Sequence, residues 1–395
     1  MKDIKKVLLR HVNENEEGII RFAQDLVRTP SVTGEELEVA KIIKEKVEEL
    51  GIKAKLISHG KNRASVVATI EGTNQKPGLL FNGHIDTVPV GAVKWEHDPF
   101  GGEIVENKIY GRGSSDMKSS IAAMVYAMAS IAQSDIELSG DLVLAATAGE
   151  EVDSIGAKEV LNLDLMKNMN NILIGEPSNL DIIVAEKGAL WIKLITKGKT
   201  SHASMPEFGI NAIDNMLLLL NTCRPEVEKI LKNSTHPLLG QGTFTLSTIN
   251  GGVKTNVVPD FCEATIDMRT LPVHSHEEII EVFKNNIQKL SSSCEDFLAE
   301  IEIINDRGPY EISPDAPIVQ TLRKSITEVK GSEPKICGVA FYTDASVFNK
   351  ACDSIVVCGP GRPELAHQPN EYVEIPKLID ATKIYSFFAY NMLKL

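Results

Sequence analysis

Leu79-Leu80-Phe81-Asn82-Gly83-His84-Ile85-Asp86 is the stretch on which the fold turns. Its apolar half reads as a buried strand, and the glycine marks where that strand ends. In open α/β sheets, ligands gather at the carboxyl ends of the strands. His84 and Asp86 are two apart, so in extended chain they share a face. A carboxylate there can accept the imidazole N–H, fixing the tautomer and making the other nitrogen a better metal ligand. A surface turn with a loose hydrogen bond is the plainer alternative for this segment alone.

Four more segments repeat the pattern. Gly111-Arg112-Gly113-Ser114-Ser115-Asp116-Met117-Lys118 begins like a phosphate loop, but Asp116 stands where a third small residue belongs, and its charge would repel a pyrophosphate. Asp116 is either an N-cap for the next helix or a metal ligand. Ala145-Ala146-Thr147-Ala148-Gly149-Glu150-Glu151 places adjacent carboxylates after a buried run. One can bind a cation while the other faces a substrate as a base, or both can be solvated. Ile172-Leu173-Ile174-Gly175-Glu176 repeats the arrangement, and Ala366-His367-Gln368-Pro369-Asn370-Glu371 adds a second isolated imidazole. Taken together, these carboxylates and imidazoles suit two Zn²⁺ ions with Asp116 shared between them. No HExxH or CxxC spacing offers a simpler site.

Working outward, the first half alternates helix and strand patterns. Helical spacing of Val39, Ile42, Ile43 and Val47 is followed by apolar runs at 64–70 and 79–82, a helix over 118–131, and runs at 142–146 and 172–174. This alternation predicts an α/β fold with a mixed, mostly parallel sheet and helices on both faces. From about residue 186 the order becomes β-α-β-β-α-β, with a helix expected over 211–220, which predicts an inserted ferredoxin-like α+β domain. The α/β pattern returns after Asp306-Arg307-Gly308-Pro309. The expected division is a discontinuous catalytic domain, 1–185 and 305–395, around an insert at 186–304.

Composition narrows the partners. The 395 residues carry 54 acidic and 41 basic side chains, a formal net charge of −13, which disfavours nucleic acid and anionic membrane. No run is long enough for a membrane span, and no secretory segment is seen at the N-terminus. The 6 cysteines form no CxxC pair and read as reduced thiols in a cytoplasmic protein.

The motifs GHIDTVP, GRGSSDMK, AGEEVDS, GEPS, SHASMP, NVVPD and AHQPNEY, in this order, resemble the dinuclear-zinc family of acetylornithine deacetylase, succinyl-diaminopimelate desuccinylase, aminoacylase and glutamate carboxypeptidase. The resemblance spans essentially the whole chain. It implies the zinc aminopeptidase/carboxypeptidase-like fold, with His84 and Glu176 on one zinc, Glu151 and His367 on the other, and Asp116 bridging; cobalt can substitute. It implies that Asp86 orients His84 and that Glu150 is the general base. It implies a homodimer through the insert, with His202 reaching the partner's site to stabilise an oxyanion. Asn256, Arg269 and Thr343 match positions that line or hold substrate. Glu at 176 is similar to the deacylases, which points to an N-acyl amino acid, with a dipeptidase or carboxypeptidase of the same family and a non-catalytic metal-binding homologue as alternatives. Where the deacylases carry Gly-Gly-Thr-Asp, this chain has Ala340-Phe341-Tyr342-Thr343-Asp344, a bulkier acyl pocket.

Overall fold

The structure is a computed structural model and describes residues 4–395. The chain forms two compact units. The first comprises the chain up to Val184, Ile312–Cys337 and Thr343–Leu395; the second comprises Ala185–Glu311 and Gly338–Tyr342.

The sheet of the first unit has the strand order Lys53–Ser58, Ala64–Ile70, Leu142–Thr147, Gly78–His84, Met169–Ile174, Ile355–Val357, Ile182–Glu186. Its centre is parallel: Leu79 pairs with Leu142, Leu80 with Ile172 and Val357 with Ile174. The outer pairings are antiparallel. The strands Gly78–His84 and Leu142–Thr147 are buried at every residue, as continuous apolar strands covered on both faces must be. Helix Ser119–Ala132 is buried from Ser119 through Ile131, and helix Ile375–Leu393 packs against it. Fully burying a side chain such as Ile121 or Met124 contributes about 1.5–3 kcal/mol, so this helix anchors the layer beneath the sheet. Because the central strands are parallel, the residues after His84, Thr147, Ile174 and Val357 all emerge at one sheet edge. That edge carries the chemistry.

The second unit is a four-stranded antiparallel sheet in the order Thr243–Gly251, Phe261–Thr270, Gly188–Lys197, Leu298–Arg307. Helices Ala212–Lys232 and His276–Ser293 cover one face, burying Leu190, Ile192, Leu194, Ala264, Ile266 and Met268. This unit runs further than 186–304. Its last strand pairs with the first down to Arg307 opposite Ala189, so it cannot stop at Ile304. Gly338–Tyr342 joins it because Lys187 N donates to the Val339 carbonyl. The first helix also continues beyond Leu220, carrying Pro225 in its interior.

Among the described residues, no helix is long and apolar enough to cross a membrane.

Candidate metal centre

His84 ends a central strand with its ring 1 % exposed. Its Nδ1 lies 2.9 Å from the Asp86 carbonyl oxygen. A carbonyl only accepts, so Nδ1 carries a proton, which leaves Nε2 as the nitrogen that can give up its proton and turn a lone pair to a cation. Nε2 lies 2.9 Å from Asp116 Oδ1 and 3.7 Å from Glu176 Oε1. Burial opposes charge on this imidazole, but the Glu176 charge and the bonds to Asp116 and Asp86 outweigh it and hold its pKa well above the usual value.

The Asp86 carboxylate does more than the sequence suggests. It stands 3.6 Å from His84 Nδ1, and its closer partners are the backbone N–H groups of Gly149 (2.8 Å), Glu150 (3.1 Å) and Glu151 (3.2 Å) and the Thr33 hydroxyl (2.8 Å). The main-chain carbonyl of Asp86 makes the shorter contact with the imidazole, while its side chain, besides facing the ring, fixes the turn that delivers the two glutamates. Gly149 adopts φ +83° at the start of that turn, and a Cβ there would fall 2.3 Å from Asp153 Oδ1 and 2.4 Å from Arg63 Nη2. Only glycine fits.

Asp116 lies in the irregular turn Ser114–Lys118, after Gly113 at φ +82°, and the Asp116–Met117 peptide is cis. The following helix begins at Ser119 and takes no side-chain cap from Asp116, so the cap alternative does not hold. Its two oxygens instead face two imidazoles: Oδ1 is 2.9 Å from His84 Nε2 and Oδ2 is 3.4 Å from His367 Nε2. Burial raises the Asp116 pKa, but the hydrogen bonds from His367 and His84 more than reverse this. His367, at φ +63°, also lies 3.0 Å from Glu151 Oε2, and the two carboxylates push its pKa up to about 10. Glu150, 7 % exposed, groups with His84 and Glu176; one ligand atom from each lies within 4.8 Å of the others. Burial pushes Glu150 well above the usual carboxylate range, with Glu151 and Asp344 adding repulsion against the pull of His84.

Glu371, fully buried, has a role the sequence did not disclose. Oε1 accepts from Ser115 N (2.8 Å) and Asp116 N (3.0 Å); Oε2 accepts from Arg112 Nη1 (2.6 Å) and Gly113 N (3.1 Å). One carboxylate thus ties the Asp116 turn to the loop bearing His367. Burial and the Asp116 charge push its pKa up to about 7, against Arg112. With four donors aimed at two oxygens, the ionised form is the one the geometry accommodates.

His84, Asp116, Glu150, Glu151, Glu176 and His367 therefore converge in the first unit. Thr343, 1 % exposed, belongs to the same unit, where its hydroxyl accepts from Ala345 N at 3.0 Å. His202, Asn256 and Arg269 belong to the second unit. His202 bridges to Val257, with Nδ1 2.7 Å from Ser204 Oγ, and the Asn256 carbonyl accepts from Ala203 N. Arg269 is held bidentately by Asp267, at 2.9 and 3.0 Å.

This donor set fits divalent cations. Four largely buried carboxylates gather around the buried imidazole of His84 and the half-exposed one of His367, and burying like charges together is costly without a counter-charge. The donors are carboxylate oxygen and imidazole nitrogen with no thiolate, which suits zinc-like ions. Two overlapping groups, His84–Glu150–Glu176 and His84–Asp116–Glu151, offer closely spaced ligand atoms.

The chain is 28% identical over 387 residues to a probable succinyl-diaminopimelate desuccinylase of Staphylococcus aureus, covering 91% of this chain and 94% of that one. Its fold is similar to an M20 family metallo-carboxypeptidase from Sulfolobus solfataricus (TM-score 0.78, 23% identity, 94% and 98% of the two chains covered). It is also similar to a dinuclear metal-binding peptidase of Bacillus subtilis (TM-score 0.74, 16% identity, 96% and 98% covered). The model of peptidase family M20/M25/M40 matches residues 80–391, and the chain belongs to that family of metallohydrolases.

Proposed function

We propose that this protein hydrolyses the amide bond of an N-acyl amino acid, of the succinyl-diaminopimelate desuccinylase or acetylornithine deacetylase type. The observation that carries the proposal is Asp116, whose two oxygens address His84 and His367 separately while Glu150 stands beside them. His84 and Glu176 would hold one ion and Glu151 and His367 the other, with Asp116 shared; zinc suits the donors, and cobalt can replace it. Bound there, the ions would supply Lewis acidity, acidifying a water and polarising the scissile carbonyl. Glu150 takes the proton from the attacking water. Its buried setting raises its proton affinity, as a general base near neutral pH requires. The same carboxyl then delivers that proton to the departing amine nitrogen.

Asp86 maintains the base through the three N–H groups it accepts from residues 149–151. To His202 we assign stabilisation of the developing oxyanion from a partner subunit, and to Asn256, Arg269 and Thr343 contact with substrate. The N-acyl class rests on Glu176 and on the resemblance to the desuccinylases. A panel of N-succinyl and N-acetyl amino acids and dipeptides, assayed with metal content measured on the same preparation, tests it. Faster turnover of dipeptides than of every acyl amino acid would overturn the deacylase reading.

A further inference from the structure

The open face of the second unit's sheet carries a set of donors that no assigned role uses. Strand register places Arg269, Ala189 and Arg307 side by side in one row, and Asp267, Trp191 and Asn305 in the next. The helices cover the opposite face, through Leu190, Ile192, Ile266 and Met268. Tyr342 stands between the two guanidiniums: its ring centroid is 6.0 Å from the Arg269 Cζ, 5.8 Å from the Arg307 Cζ and 6.5 Å from the Trp191 ring, which meets it edge-on.

The two arginines differ in one respect. The fork of Arg269 is already filled by Asp267. Arg307 is 3 % exposed, and among the described residues its Nε has no hydrogen-bond partner. Trp191 Nε1 and Asn305 Nδ2, one row away on the same face, are buried donors without an acceptor as well. A cavity of about 270 Å³ adjoins this row, lined by Trp191 together with Ser247, Thr265, Ile266, Asp267 and Ile304. A buried guanidinium N–H without an acceptor is costly, and cation–π contact with Tyr342 offsets only part of that cost. Three buried donors in neighbouring rows of one sheet face ask for an acceptor group.

We infer that Arg307, with Trp191 and Asn305, forms a carboxylate-binding subsite on the second unit, walled by Tyr342. The guanidinium fork matches a planar carboxylate. Net charge would not draw an anion to this face, since the chain as a whole carries −13. The choice of carboxylate over other anions rests on the proposed reaction, whose substrates carry carboxylates.

The test reads Trp191 fluorescence in a Trp95→Phe background, which leaves Trp191 as the sole indole of the 2 tryptophans. Succinate, neutral succinamide and inorganic phosphate are titrated into the purified full chain. The expected result is saturable binding of succinate, no response to succinamide, and affinity lowered at least about tenfold by Arg307→Gln and less by Arg307→Lys. If Arg307→Gln fails to fold, the comparison of succinate with succinamide on the chain retaining Arg307, together with Arg307→Lys, decides alone. Equal binding of succinamide, tighter binding of phosphate than of succinate, or indifference to the Arg307 substitutions overturns the subsite. No turnover enters this measurement. Succinate binding that depends on Arg307 in a protein inactive on acyl amino acids keeps the subsite and removes the reaction. Acyl amino acid hydrolysis with binding indifferent to Arg307 does the reverse.

Discussion

Glu371→Gln is the sharpest test of how the metal centre is held. Each carboxylate oxygen accepts two bonds, one pair from Ser115 and Asp116 N–H and the other from Arg112 and Gly113 N–H. A glutamine keeps one oxygen. Whichever way the amide is turned, its NH₂ group opposes two donors, so two of the four bonds are lost. Bonds to a charged group are worth about 1.5–3 kcal/mol each, giving roughly 3–6 kcal/mol. Breaking a buried ion pair, here with an Arg112 side chain 3 % exposed, costs about 3–5 kcal/mol by an independent route. The two figures describe the same loss, and entry of water sets about 3 kcal/mol as the working value. The Asp116 backbone N–H is among the donors, so the shared ligand moves too, and metal affinity should fall about 10–100-fold. Urea unfolding gives the first quantity, and titration with Co²⁺ followed by its visible absorption gives the second. Stability within about 0.5 kcal/mol of the parent, together with unchanged Co²⁺ affinity, would refute the role assigned to Glu371.

Other outcomes follow from the same geometry. Glu150→Gln should retain both metals by elemental analysis while turnover drops about 10²–10⁴-fold; near-parental rates would remove Glu150 from proton transfer. Prolonged chelation should abolish hydrolysis, and Zn²⁺ or Co²⁺ should restore it; activity persisting in demonstrably metal-free protein would contradict the mechanism. His202→Ala and Glu150→Gln chains, each inactive, should regain activity on mixing if His202 serves a partner subunit; shown mixed dimers without rescue would place its action within one chain. A pH effect is expected at His59, whose Nε2 lies 2.7 Å from Ser65 Oγ, itself accepting from Ala148 N. Burial holds this imidazole below its ordinary 6.5, so as pH falls through that value the folded chain takes up fewer protons than the unfolded one. Stability contributed by the neutral ring is present above that pH and declines toward acid, and His59→Gln should flatten that part of the urea-midpoint profile between about pH 8 and 5.

Much of the frame was legible along the chain. The helix over 118–131 and the runs at 142–146 and 172–174 are local periodicities, and burial at one end of each follows from continuous apolar character. Other elements escaped. Helix Glu16–Arg28 buries Ile19, Phe22, Ala23, Leu26 and Val27, a helical stripe present in the sequence but overshadowed by the motifs that follow. Strand Lys53–Ser58 forms the exposed margin of its sheet, with charged residues between its apolar ones, and offers little signal. The second unit's true extent depended on how far two strands pair, which no single segment records.

The sequence by itself determined which side chains can ligate and where each strand delivers them, because those depend on neighbours a few residues away. Tertiary structure alone decided the rest. That the Asp86 side chain grips the glutamate turn besides facing the imidazole, that Glu371 reaches back to Arg112, 259 positions away, and that the Arg269 fork meets a carboxylate while Arg307 Nε meets no acceptor, are outcomes of packing. Each depends on which donor reaches a carboxylate first in folded space, and separation along the chain carries no information about that contest.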